Sequence, residues 1–240
     1  MALSATLGDA VWTEIAAAPP MIAVPLGACE QHGPHLPLAT DTIVATALAE
    51  RLAARRANVS VAPALPYGAS GEHAGFAGTL SLGTDALRMV LVELVRSADA
   101  FAGVVLISAH GGNSAAVAGA IDVLGHERRA VLAWSPSASV ATAAAGRDAD
   151  AHAGHVETSV LLALAPQLVH LEDAAPGTTA PLPSLLAQLR SVGVAGVSAN
   201  GVLGDPTGAS ASDGRRILDG WSQDLIDAVD RWRPASVGRR

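Results

Sequence analysis

Met21-Ile22-Ala23-Val24-Pro25-Leu26-Gly27 leads into Glu30-Gln31-His32-Gly33-Pro34-His35, and Asp41 follows six residues later. The apolar run reads as a buried strand and the polar stretch as a loop at its carboxyl end. Acids and imidazoles at the end of a buried strand are costly unless something offsets their desolvation. A divalent metal is the partner best suited to this mixture of ligand types.

The pattern repeats outward from that stretch. Asp9 to Ala18 reads as a short helix stopped by Pro19-Pro20, and Asp41 to Arg55 as a helix with Thr40 or Asp41 as its N-cap. Val59 to Leu65 reads as a strand interrupted by Pro63, followed by a glycine-rich loop over 67–76. Thr84 to Phe101 reads as a long helix, Gly103 to Ser108 as a buried strand, Ser114 to Leu124 as a helix and Arg129 to Trp134 as a fourth strand. This alternation predicts an α/β fold with a mostly parallel sheet covered by helices on both faces. Ligands in such sheets gather at the carboxyl ends of the strands. The rest is less regular: a helix over 155–164, a linker over 178–183, a short helix over 184–190 and an amphipathic helix over 213–232. Neither a repeat nor a domain boundary is evident, so one domain over 1–240 is expected.

Composition narrows the function classes. Half the residues are apolar, enough for a sizeable core, and 15 basic against 22 acidic residues give a charge of −7. That balance argues against nucleic acid or an anionic membrane as partner. Every basic residue other than histidine is arginine, as in proteins of high-GC bacteria. Cys29 is the one cysteine, which rules out an intrachain disulfide and suits a reducing compartment. Met1 to Ala10 lacks the basic start of a signal peptide. The apolar stretch over 15–29 is broken by prolines and falls short of the roughly 20 residues of a membrane helix. A cytoplasmic protein is expected.

Three clusters carry the chemistry: Glu30, His32, His35 and Asp41; His110 in Ala109-His110-Gly111-Gly112-Asn113; and the run over 148–157 with Asp148, Asp150, His152, His155 and Glu157. Mixed nitrogen and oxygen ligands favour Zn, Mn or Fe over Ca or Mg, and a carboxylate-bridged pair would acidify a shared water. Plainer roles stand beside these. Asp41 as an N-cap, Glu157 as an acid favoured by the helix dipole and His35 as a loop brace all remain open. Asp148 and Asp150 read equally as a solvated turn. Cys29 reads as a small buried residue, and His126 and His170 as surface or structural residues. Gly111-Gly112 lets backbone approach a ligand closely, but no nucleotide-binding pattern accompanies it.

Pro25 to Leu38 with Asp41 resembles the leading motif of the creatininase (creatinine amidohydrolase) family. Ser108 to Asn113 resembles its second motif, His152-Ala153-Gly154 with Glu157-Thr158-Ser159 its third, and Gly201 to Thr207 a C-terminal element. The resemblance implies a three-layer α/β/α fold, hydrolysis of a C–N amide bond, a homo-oligomer, and two divalent metal ions per subunit (Zn, Fe or Mn). By motif, Glu30 and His110 would hold one metal, His32 the other, and Asp41 would bridge. His152 matches the acid/base histidine. Creatininase proper has a metal-binding glutamate where this chain has Gly112 and an aromatic residue where it has Gly111; Glu157 is the candidate replacement ligand. Gly71 to Ser81 is similar to the branch found with mycofactocin biosynthesis, which trims a modified C-terminal dipeptide from a small precursor peptide. The expected substrate is therefore a small modified peptide or another small amide, with Glu72 and His73 lining its pocket. Two alternatives are creatinine or a similar cyclic or formyl amide as substrate, and a non-catalytic module using the 110–113 loop to hold a small polar ligand.

Overall fold

The computed structural model describes residues 5–232, so the first four residues of the Met1–Ala10 segment and residues 233–240 of the expected domain lie outside the described residues. Four parallel strands, β1 (Met21–Leu26), β2 (Val59–Val61), β3 (Gly103–Ser108) and β4 (Val131–Trp134), form one sheet in the order β2-β1-β3-β4. Among the described residues eight α-helices accompany them: α1 (Trp12–Ala17), α2 (Thr40–Arg55), α3 (Thr84–Arg96), α4 (Ser114–His126), α5 (Ala138–Ala145), α6 (His155–Leu164), α7 (Leu182–Val192) and α8 (Ala211–Arg231). The three-layer α/β/α arrangement with a parallel central sheet is as expected from the sequence.

Side chains alternate across the strands. In β3, Val105 and Ile107 join the core beneath α2, α6 and α8, while Val104 and Leu106 join the core beneath α3 and α4. An unbroken apolar run is what a strand covered on both faces requires. The register pairs Leu26 with Ser108, so the loops leaving β1 and β3 start side by side. The chain order also reverses between these strands, because β1 neighbours both β2 and β3. This switch point is where ligands collect in open α/β sheets.

Several boundaries differ from expectation. α3 stops at Arg96, not Phe101, because Ser97 Oγ donates back to the Leu94 carbonyl and the Ala98 N–H bonds to Val95, closing a turn. β2 ends at Val61, ahead of Pro63, and only Leu65 returns to bridge Leu26. The N-terminal helix begins at Trp12, after a separate 3-10 turn at Leu7–Asp9. α7 extends two residues beyond each end of the expected helix. α2 already includes Thr40 and Asp41, with Ala39 at the N-cap position, so neither serves as a side-chain cap. Thr40 instead donates to the Pro37 carbonyl at 2.7 Å.

α6 and α8 touch through glycine. A Cβ on buried Gly214 would overlap the Ser159 carbonyl oxygen, whereas Gly125, exposed on α4, has open space around it. Alanine favours a helix over glycine by roughly 0.5–1 kcal/mol. Gly125→Ala should therefore raise stability by up to about that amount, and Gly214→Ala should lower it by about 1–3 kcal/mol through overpacking. Urea unfolding of the two variants checks the opposite signs.

Candidate active site

The loop after β1 is folded tightly against α2. A Cβ on Gly27 would collide with the backbone and hydroxyl of Thr42, so only glycine lets the helix start reach the strand end. That approach brings Asp41 next to Glu30 and His32, all three of them buried. His32 Nδ1 lies 3.2 Å from the Glu30 carbonyl. Donation from Nδ1–H to that carbonyl leaves the Nε2 lone pair free. Nε2 faces Asp41 Oδ1 at 3.4 Å and Glu157 Oε2 at 3.9 Å.

His110 arrives from the end of β3. Its Nε2 lies 3.1 Å from the Ala69 carbonyl and 3.1 Å from Glu30 Oε2. Donation to the carbonyl leaves Nδ1 as the lone-pair nitrogen, 3.6 Å from Asp41 Oδ2. Side chains nearly 80 residues apart in sequence therefore meet, as the strand-end argument predicts.

The third cluster divides. Ala153 takes a left-handed conformation, φ 51°, and its N–H donates to Glu157 Oε2 at 2.6 Å. This turn aims both His152 and Glu157 inward. His152 Nε2–H donates to the Gln31 carbonyl at 2.8 Å, which leaves Nδ1 3.9 Å from Glu30 Oε1 and 4.0 Å from Glu157 Oε2. His155 turns away to Asp213 and Arg147, each 3.1 Å from its ring. Asp150 is not part of a solvated turn: its carboxylate accepts the His155 and Val156 N–H groups and holds the start of α6.

Glu72 and His73 occupy a 3-10 turn on the cleft wall. The Glu72 side chain is 34% exposed, with Oε1 3.8 Å from His110 Nε2. His73 is buried, and its Nε2 lies 3.2 Å from Glu30 Oε1 without a hydrogen bond, so its inner edge faces the carboxylate rather than the cleft. His35 points away from the cluster to Thr158 Oγ1, 2.9 Å distant, and acts as a brace. Cys29 is half-buried, with Sγ towards the Gly78 carbonyl. His126 and His170 lie exposed at the surface.

Sequence alone assigns no bracing role to Gln31 or Asn113. Gln31 donates to the Gly201 carbonyl at 3.1 Å and to His73 Nδ1 at 2.9 Å, and accepts from Gly33 N at 2.8 Å. Asn113 joins three segments: Nδ2 donates to the Gly27 carbonyl at 3.1 Å, and Oδ1 accepts from Ala69 N at 2.9 Å. It is fully buried, so it has no free group for the small polar ligand of the non-catalytic reading. The one sequence signal is that both sit inside the polar motifs.

Both oxygens of Glu30, Nε2 of His32 and Oδ2 of Asp41 are buried without a hydrogen-bond partner. Buried carboxylate oxygens left this way demand a cation. Ligand atoms of Glu30, Asp41 and His110 lie within 4.8 Å of one another, as do those of His32, Asp41 and Glu157, and those of Glu30, His32 and His152. Oxygen and imidazole donors suit a divalent transition metal, so the residues present fit the group that the sequence implies.

Burial, against the pull of His110, pushes the Glu30 carboxyl up to about 7. Burial opposes charge on His32, yet Asp41, together with Glu157 and Glu30, outweighs it and raises the imidazole to about 10. Burial and the charge of His110 hold His73 down at about 3. Burial, then His32 and His73, keep His152 well below its usual value, so its ring is neutral at pH 7.

The cluster opens into a cleft of about 950 Å3 bordered by Glu72, His110, Gly112, His152 and α7. A Cβ on Gly112 would strike the Ala69 carbonyl, Glu72 and His110, so the cleft floor is bare backbone there. A smaller cavity of about 220 Å3 reaches Asp41 and Glu157 from the side of α5 and α8. No helix among the described residues is long and apolar enough to cross a membrane.

A family model described as "Creatininase: Creatinine amidohydrolase" matches residues 8–229. The chain is 47% identical over 242 residues to a mycofactocin precursor peptide peptidase of Mycobacterium tuberculosis, covering 97% of this chain and 93% of that protein. Among solved structures, one titled "Creatininase Mn" superposes with a TM-score of 0.80 at 29% identity, covering 95% of this chain and 98% of that one. A creatininase mutant described as "Zn-Zn type" gives 0.79 at 27% identity, covering 95% and 97%. Divalent metal ions thus accompany this fold in its solved relatives, and the orphaned donors described above suit the same kind of ion here.

His35 supplies a pH test away from the metal ligands. Burial first, and the nearby His32 second, hold its imidazole down at about 4 against an ordinary 6.5. A group that stays neutral in the fold but charges in the unfolded chain contributes stability above its unfolded value. That contribution is lost as pH falls from 6.5 to about 4. His35→Gln should flatten the dependence of the urea midpoint on pH across that window; an unchanged slope would contradict the assignment.

Proposed function

The chain belongs to the creatininase family and is a hydrolase, and from that premise we propose that it cleaves an amide bond in a small modified peptide. This reading is supported by the 47% identity to a mycofactocin precursor peptide peptidase, against 29% to the "Creatininase Mn" structure. The reaction proposed is release of the modified C-terminal dipeptide from that precursor. The observation that carries the hydrolytic reading is the set of buried, unpartnered donors at the strand ends, opening onto a wide cleft.

In this reading each subunit binds two divalent ions, Zn, Fe or Mn. Glu30, Asp41 and His110 would hold one and His32, Asp41 and Glu157 the other. The ions supply Lewis acidity for the amide carbonyl and lower the pKa of water. His152 moves the proton: neutral, with Nε2–H fixed on the Gln31 carbonyl, it accepts at Nδ1 as water attacks and returns that proton to the leaving nitrogen. His73 packs beside Glu30 at the inner wall, and Glu72 at the cleft wall accepts from a substrate N–H. The catalytic unit is one domain over the chain, acting in the cytoplasm as a homo-oligomer.

Creatinine is disfavoured by size and shape. A cleft of about 950 Å3 lies at the upper end of ligand pockets, and bare Gly111 and Gly112 leave its floor open.

Chelation should reduce hydrolysis of the modified precursor peptide by on the order of a hundredfold or more, with recovery on adding Zn, Mn or Fe. The same metals should raise the melting temperature of wild-type protein, and Asp41→Ala should abolish both effects. Mass spectrometry with the peptide and creatinine offered in parallel reads the product. Full activity in chelator, or cleavage of creatinine alone, would overturn the proposal.

A further inference from the structure

One row of α7 faces the cleft with no role in the fold. Leu182, Leu186 and Arg190 are spaced i, i+4, i+8, and all three border the cavity. The two leucines are 41% and 40% exposed. The inward face of α7 is satisfied separately, with Leu185 and Leu189 packed against Phe76, Val194 and Leu203. Arg190 is exposed and makes no ion pair or side-chain hydrogen bond among the described residues. Among the described residues it is also the one guanidinium lining the cleft, in a chain whose net charge is −7.

The row is held in fixed relation to the reaction centre. After α7 the Val194 N–H donates to the Glu72 carbonyl at 2.8 Å. A Cβ on Gly193 would overlap that same carbonyl oxygen. Glu72 in turn stands 3.8 Å from His110.

We propose that Leu182, Leu186 and Arg190 form the peptide-reading wall of the site, taking an extended segment with two alternate apolar side chains followed in the same row by a carboxylate. The proposal rests on the peptidase reading and names the features such a substrate presents. Steps of four residues advance about 6 Å along a helix. Side chains on one side of an extended chain repeat about every 6.6 Å. Three contacts therefore stay in register between the two. The leucines cover the apolar side chains, and the guanidinium forms a two-pronged pair with the carboxylate, which it recognises better than a point charge would.

The test uses the metal-loaded full-length protein and fluorescein-labelled synthetic hexapeptides. Each carries leucine at positions one and three and Glu, Gln or Lys at position five, with alanine elsewhere. Anisotropy should show the Glu peptide binding about tenfold or more tighter than the Lys peptide. Arg190→Glu should reverse that order, and Leu186→Asp should weaken every peptide. Equal affinities, or a preference that survives Arg190→Glu, would overturn the proposal. Sedimentation velocity on the same variants covers the competing occupant: dissociation of an oligomer with unchanged peptide affinity would assign the row to a subunit interface and end the proposal. Because binding is read without turnover, the two readings fail separately. Precursor hydrolysis without charge preference removes only the wall, and charge-selective binding without hydrolysis removes only the peptidase.

Discussion

Burial of Glu30 and Asp41 beside two imidazoles, at the carboxyl edge of the sheet, governs the rest of this structure. An ionised carboxylate removed from water costs several kcal/mol even after relaxation. Here both Glu30 oxygens and Asp41 Oδ2 lack hydrogen bonds. Burial raises the Glu30 carboxyl, and the adjacent acids raise the His32 imidazole, two expressions of one imbalance: the site favours added positive charge. A divalent ion supplies more charge in less space. The two histidines hydrogen-bonded to backbone carbonyls through one nitrogen, with the other facing the acids, are already set in the tautomers that such an ion requires.

The fold sustains this cost by fixing the donors through backbone. Glu30 and His110 leave adjacent strands at matched register, and Gly27 admits α2 so closely that Asp41 has one place to go. Asn113 and Gln31 then tie the loops to one another. Asp150 fixes the start of α6 by accepting its first N–H groups, and this aims Glu157.

What was legible in sequence follows from how local the signal is. β1 and β3 are continuous apolar runs bounded by glycine, and the ligands trail them directly, so strand and site were readable together. Boundaries set by a single side-chain bond, such as Ser97 ending α3, leave no periodic trace. Gln31 and Asn113 were visible as motif members, but their partners at Gly201, Gly27 and Ala69 lie far along the chain. His155 is three residues from His152 and faces the opposite way, because the left-handed Ala153 turns the chain between them. Spacing alone cannot separate those two histidines. The cleft wall on α7 was illegible for a different reason: a leucine row reads as core until the packing shows which leucines are covered.

On the proposed ligand assignment, the carboxylate that the motif resemblance places on the loop after β3 in creatininase proper would come here from α6. The structure gives this exchange a steric logic. Gly112 is hemmed in by the Ala69 carbonyl, His110 and Glu72, so a side chain there would displace its neighbours. Glu157 reaches the cluster from the far side, through the turn at Ala153. Moving the acid across the centre leaves the near side as bare backbone, and the cleft of about 950 Å3 opens along that side. On that assignment Glu157 would hold its ion from behind the centre, and the cleft beside Gly112 stays lined by backbone toward α7.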